Sequence, residues 1–373
     1  MGSPTRTPRL LVLTPDFPPA PGGIQLLTYR LAAGVKGFET RVLALDGPGA
    51  ASFDRHSGLS TRRVRVGKKL GPARMVALNL AALAEARRFR PDVILIAHIV
   101  ASPAAAAIRR ALGARTVQYF HANEIGGKPR LAAFAAGRAD VVVAVSSYTA
   151  GLIAATGASP AELRLIPPGV ELPSDPTPER PERPTLLTIA RLRDAYKGHD
   201  VLIRALARVR ADVPDVELVV IGDGPLRGDL ERLASAVGVT DAVRFLGTVS
   251  DDERDLWLRR TDVFTMPSRL PSDGRAGEGF GIVYLEAAAY GKPVVAGNVA
   301  GALDAVADGE TGLLVDPTDE RAVADAITRL LSDRELARRM GVAGAERAKR
   351  FAWPLVAARL ESVLLEQVAE NVP

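Results

Sequence analysis

Two glutamates and two cations are the residues best placed to do chemistry. Glu278 and Glu286 stand in the string GEGFGIVYLEAAAYGKPVVA (277–296), with seven residues between them and with Gly279 and Gly281 on either side of Phe280. A helix is expected from Ile282, and the exposed N–H groups of Phe280, Gly281 and Ile282 at its start can hold a sugar hydroxyl or a phosphate oxygen. Glu278 can accept hydrogen bonds from sugar hydroxyls. Glu286, about one turn inside the helix, can bind a ribose diol. Arg191 and Lys197 lie in IARLRDAYKG (189–198), directly after an expected strand. Two cations at a strand end can neutralise a diphosphate, although either alone fits a surface salt bridge equally well.

Other signals are weaker taken singly. In ELVVIGDGP (217–225) a glycine turn follows a strand, but Gly222, Gly224 and Gly228 miss the strict G-x-G-x-x-G spacing. The next strand, VRFLG, ends without an acidic residue to hold a ribose, which disfavours an NAD-dependent Rossmann oxidoreductase. In TPDFPPAPGGIQ (14–25), Gly22 and Gly23 precede a helix and leave amides open to a phosphate or sugar, or simply make a tight turn. His121, in QYFHANE, ends a strand, where a lone histidine is more often structural. There is no cysteine, the four histidines have no metal-ligand spacing, and no D-x-D triplet occurs. No metal site is expected.

These residues need a frame to hold them. The chain has 373 residues, 47% hydrophobic and 24% charged, which fits a globular protein of two domains. Short apolar runs alternate with longer segments of helical period. In the first half the expected strands are 9–14, 41–45, 93–97, 116–120 and 141–145, with helices from 24 and over 73–89 and 103–112. In the second half they are 185–190, 217–221, 243–246, 263–266 and 293–296, with helices 200–211, 226–236, 251–259 and 282–290. Continuous apolar strands alternating with helices mean parallel sheets covered on both faces. Between the halves, ELPSDPTPERPERP (171–184) carries five prolines and reads as a linker. The fold expected is α/β, two Rossmann-like doubly wound domains, in which ligands sit beyond the carboxyl ends of strands.

Charge divides unevenly. Residues 1–173 hold 22 Lys and Arg against 10 Asp and Glu, net +12, while the remainder is net −7. Arg62, Arg63, Arg65, Lys68, Lys69 and Arg74 supply much of the excess and could attract an anionic membrane surface or a phosphorylated acceptor, or form a solvated face. Without interleaved aromatics for stacking, nucleic acid is not an expected partner. No run approaches the roughly 20 apolar residues of a membrane helix, so a cytoplasmic protein is expected, at most peripheral at the inner face of the plasma membrane.

The GGI loop (22–24), the Arg191–Lys197 pair, the GDGP turn (222–225), E-x7-E (278–286) and DGETGLLVDP (308–317), taken together, resemble the retaining family-4 glycosyltransferases of the GT-B fold. That resemblance covers nearly the whole chain. It implies an acceptor-binding domain over 1–170, the linker 171–184, a donor-binding domain over 185–350 facing the first across a cleft, and a C-terminal helix (351–373) returning to the first domain. It further implies that Arg191 and Lys197, with the Gly23 amide in the Gly22–Gly23 loop, hold a diphosphate. Glu278 and the amides of Phe280, Gly281 and Ile282 would hold the donor sugar, Glu286 the ribose, His121 a donor hydroxyl, and Gly222, Gly247 and Thr248 would line the nucleotide. The reaction implied is metal-independent hexosyl transfer, with retention, from a GDP- or UDP-sugar to an acceptor hydroxyl. The nucleotide sugar is a substrate and no cofactor is expected. DFPPAPGGIQ (16–25) is similar to the phosphatidylinositol-mannoside mannosyltransferase branch, implying a lipid acceptor, with a soluble sugar or secondary metabolite as the alternative. Asn123, where that branch often carries a second histidine, and the loop RLPSDGRAG (269–277) depart from its pattern.

Overall fold

A computed structural model describes residues 6–67, 71–179, 181–272 and 276–370. The chain forms two compact units, one of residues 1–169 and 353–373, the other of 170–352. The first holds β1 (Arg9–Leu13), β2 (Glu39–Leu45), β3 (Ser60–Val64), β4 (Val93–Ile96), β5 (Arg115–Phe120), β6 (Val141–Ala144) and β7 (Leu163–Leu165), in the order β3-β2-β1-β4-β5-β6-β7. The second holds β8 (Thr185–Ile189), β9 (Glu217–Ile221), β10 (Val243–Gly247), β11 (Val263–Met266), β12 (Val294–Gly297) and β13 (Gly312–Val315), in the order β10-β9-β8-β11-β12-β13. Every pairing between these strands is parallel, for example Leu11 between Arg41 and Ile94. Both sheets are doubly wound, and the strand order reverses between β1 and β4 and between β8 and β11. Ligand crevices form at such reversals, outside the carboxyl ends of the strands.

The central strands are apolar on both faces because helices cover both. In the first unit Leu10 and Val12 pack toward one core, whereas Leu11 and Leu13 pack toward the other. Helix Trp353–Ala369 closes the first of these cores with Trp353, Val356, Leu360, Val363 and Leu364. Burying each such side chain contributes about 1.5–3 kcal/mol. Glu361 on this helix also accepts the amides of Lys36 and Gly37.

The edge strand β3 has the sequence STRRV, too polar to be read as a strand, and it changes the meaning of the basic cluster. Arg62 and Arg41 both pair with Glu85, which is buried. Burial works to raise the Glu85 carboxyl pKa, but the two guanidinium groups outweigh it and hold the value below the ordinary one. Arg63 is 9% exposed and binds Asp54 at 2.7 Å, Pro18 O at 2.6 Å and Leu45 O at 3.2 Å. Arg65 remains exposed, 3.7 Å from Asp46. Lys68 and Lys69 lie outside the described residues. The expectation of a free cationic face is therefore corrected at Arg62 and Arg63, whose charges are bound into the fold.

Candidate functional site

In the second unit, three loops meet at the reversal between β8 and β11. Lys197 follows β8 in a short turn, and its ammonium pairs with the Glu278 carboxylate, the two side chains being 16% and 14% exposed. Burial opposes the charge, but Glu278, with Tyr196 and Asp194, holds the ammonium pKa above its usual value, so Lys197 stays cationic. The turn is fixed from beneath. A Cβ on Gly198 would stand 2.1 Å from the Pro267 carbonyl, so glycine lets this turn lie against the loop after β11. The Arg269 amide donates to Tyr196 O at 2.7 Å, and the Arg269 guanidinium grips Asp200 at 2.8 and 3.0 Å. Glu278 is positioned in turn by its own carbonyl, which accepts the Gly301 amide at 2.9 Å.

Helix Ile282–Ala289 begins immediately beyond, with Gly281 at its N-cap and no acid in its first turn. The Tyr284 hydroxyl donates to Met266 O at 2.8 Å and seats the helix against β11. The Phe280 side chain is in the core, 5.8 Å from Phe351 between ring centres, so only its backbone can serve a ligand. Glu286 lies near Arg254. Burial raises its pKa, with Arg254 opposing. Arg191 is in the same loop as Lys197 but 74% exposed, with Asp194 at 3.8 Å. Gly222 and Gly247 are joined by a 2.8 Å backbone hydrogen bond, and Thr248 is exposed just beyond β10.

The first unit gathers a second cluster at its own reversal. Helix Gly23–Gly34 starts after Gly22 with no acid in its first turn. His121, after β5, is 7% exposed and donates Nε2–H to Ala97 O at 3.2 Å. Glu124 accepts the His121 amide at 3.0 Å and the Ile99 amide at 3.1 Å, and its Oε2 lies 3.2 Å from His98 Nδ1. Sequence reasoning passed over Glu124 and His98. The signal was present in HANE, where an acid three residues after a helix N-cap reaches back to the cap amide.

Burial depresses His98, His121 and His199 to about 4 and raises Glu124 to about 8. The unfolded imidazoles, near 6.5, take protons that the folded ones refuse, so stability present above pH 6.5 is lost as pH falls toward 4. Glu124 acts oppositely: its contribution is complete below the unfolded value of about 4.3 and is lost as pH rises through 8. Each group contributes at most about 1.4 kcal/mol per pH unit. The melting temperature is therefore expected to peak close to pH 7 and to fall more steeply toward pH 5 than toward pH 8. A flat profile from pH 5 to 7 in calorimetry would mean that these imidazoles are not held neutral.

Comparison with known proteins gives this geometry its context. The family model for glycosyltransferase family 4 matches residues 21–173, and that for glycosyl transferases group 1 matches residues 173–347. The GDP-mannose-dependent alpha-(1-6)-phosphatidylinositol monomannoside mannosyltransferase of Mycolicibacterium smegmatis is 36% identical, over 95% of this chain and 98% of its own. The protein of the same description from Mycobacterium tuberculosis is 34% identical with the same coverage. Among solved structures, Anabaena HepE in complex with UDP superposes with a TM-score of 0.81 at 22% identity, over 96% of this chain and 100% of its own. Sucrose-phosphate synthase from Thermosynechococcus elongatus gives 0.80 at 21%, over 98% and 100%. These two show the fold, GT-B. The first two, matched nearly end to end, show the family: this chain belongs to the family-4 glycosyltransferases and is a glycosyltransferase.

Proposed function

We propose that the protein transfers mannose from GDP-mannose to a hydroxyl of a phosphatidylinositol-type glycolipid, with retention of configuration and without a metal, at the inner face of a membrane. The observation that carries this reading is the Lys197–Glu278 pair, locked by three loops at the reversal point of the second sheet. The relatives' described activity supports the choice of donor and acceptor.

In this reading the second unit binds the donor and the first the acceptor. Lys197 and Arg191 face the diphosphate, Glu278 and the amides of Phe280, Gly281 and Ile282 the mannose, and Glu286 the ribose. Gly222, Gly247 and Thr248 line the base, while Gly22, Gly23 and His121 are the substrate-contacting residues of the first unit. The acceptor oxygen bonds to the anomeric carbon as the bond from that carbon to the phosphate oxygen breaks on the same face. The acceptor proton passes to the departing phosphate oxygen. Charge builds on the sugar and on the diphosphate, and a cation already in place stabilises it without reorganisation. No described helix is long and apolar enough to cross a membrane, and a peripheral attachment fits that.

The test is transfer of labelled mannose from GDP-mannose to phosphatidylinositol mannoside in vesicles, with and without EDTA. Labelled glycolipid is expected, undiminished by chelation and absent when UDP-glucose replaces the donor. Transfer to a soluble inositol phosphate but not to lipid would reassign the acceptor. Loss with EDTA, restored by magnesium or manganese, would overturn the metal-free diphosphate site.

A further inference from the structure

The geometry points to His98 as a further substrate-contacting residue, a hydroxyl-binding donor at the β1/β4 reversal, and to Glu124 as the positioning residue that fixes its tautomer. This rests on the reading that the first unit's strand ends face the transferred sugar and its acceptor. Nothing in that reading assigned either residue a role.

His98 Nδ1 accepts the Val100 amide at 3.2 Å, so it carries a lone pair and the ring hydrogen sits on Nε2. Glu124 Oε2 lies 3.2 Å from that same Nδ1 while also accepting the Ile99 amide at 3.1 Å. A carboxylate there would set two acceptors against each other. A protonated carboxyl resolves the contact, since its hydroxyl donates to Nδ1.

The surroundings favour the neutral acid. Burial raises Glu124 to about 8; the His121 and Ile99 amides and the Lys128 charge work downward, and Asp16 works upward. Asp16 is itself raised by burial, against Arg74. His98 is depressed to about 4 by burial and by Lys128, so it does not take the proton instead.

The two histidines are then left unlike each other. His121 has spent its Nε2–H on Ala97 O and is 7% exposed. His98 has an 18% exposed side chain and an Nε2–H with no partner among the described residues. It stands just past β4, across the reversal from the Asp16–Gly23 loop that follows β1, where a doubly wound sheet takes its ligand. An N–H donor held in one tautomer there suits a sugar or inositol hydroxyl.

The test reads the tautomer separately from activity. Long-range proton–nitrogen NMR on the full chain with labelled histidine should show His98 as the neutral Nε2–H form from pH 5 to 7.5, with a transition near pH 8 as Glu124 ionises. Glu124→Gln, whose amide can still donate to Nδ1 although it gives up the Ile99 amide, should keep that tautomer and abolish the transition. In mannosyl transfer, His98→Leu should lower kcat/KM roughly tenfold, and His98→Gln, which restores an N–H near the Nε2 position, should recover part of it. Transfer by the wild-type protein should decline above pH 8 as Glu124 ionises, and that decline should be absent in Glu124→Gln. An Nδ1–H tautomer, an alkaline transition surviving in Glu124→Gln, or wild-type kcat/KM in His98→Leu would each overturn the inference. Absence of transfer by the wild-type protein, with the tautomer as expected, would instead count against the proposed reaction.

Discussion

Glu278→Gln and Lys197→Ala are each expected to lower mannosyl transfer by about 100-fold to 1,000-fold, the loss that follows removal of one preorganised charge-stabilising contact. The two variants should differ in stability. Glutamine at 278 keeps an oxygen for the Lys197 ammonium, so its melting temperature should stay within a few degrees of wild type. Alanine at 197 leaves the Glu278 carboxylate, 14% exposed, without its cation. Removing one member of a well-buried pair costs about 3–5 kcal/mol, and this partly exposed one should cost less. At about 2–4 °C per kcal/mol for a unit of this size, a drop of several degrees is expected. Steady-state kinetics with GDP-mannose, alongside thermal melts, separates the two effects. Near wild-type turnover in Glu278→Gln would remove Glu278 from the site.

What the sequence disclosed and what it hid follow from the same physics. Strands such as VILI (93–96) and VFTM (263–266) were legible because a strand covered on both faces must be apolar throughout. Edge strands escape that rule. STRRV at 60–64 and LRL at 163–165 border solvent, and their polarity conceals them. The cost of missing β3 was a misjudged surface, since Arg62 and Arg63 looked free in sequence but answer Glu85 and Asp54 in space. Of the candidate site, Lys197 and Glu278 could be named from motifs, yet their direct contact could not, because 81 residues separate them. HANE marked Glu124 only as an acid that caps the His121 amide; nothing in the sequence marked the Ile99 amide and the His98 imidazole that also face it.

The glycine at 222 was legible as a turn, but what requires glycine there was not. The loops after β8 and β9 are stitched main chain to main chain. Ala190 N donates to Ile221 O at 3.0 Å, Leu192 N to Asp223 O at 3.0 Å, Leu226 N to Leu192 O at 2.9 Å, and Gly222 N to Gly247 O at 2.8 Å. Arg191 rides on this seam between Ala190 and Leu192. A Cβ at 222 would stand 1.9 Å from the Ala190 carbonyl oxygen, and the residue's φ of 133° is one that side chains rarely adopt. That oxygen belongs to the backbone and is not a flexible side-chain end, so the seam itself must part. In Gly222→Ala the Arg191 loop should move by more than 1 Å, and a misplacement of that size can cost about 100-fold in rate. Overpacking and backbone strain, each about 1–3 kcal/mol, should also lower the melting temperature. Gly238→Ala is the control, since that glycine also has a positive φ, 74°, but nothing within 4 Å of its missing Cβ. It should lose stability through backbone strain alone and keep its transfer rate and donor affinity. If Gly222→Ala transfers mannose as well as Gly238→Ala does, the close approach of these two loops is not what holds Arg191 in place.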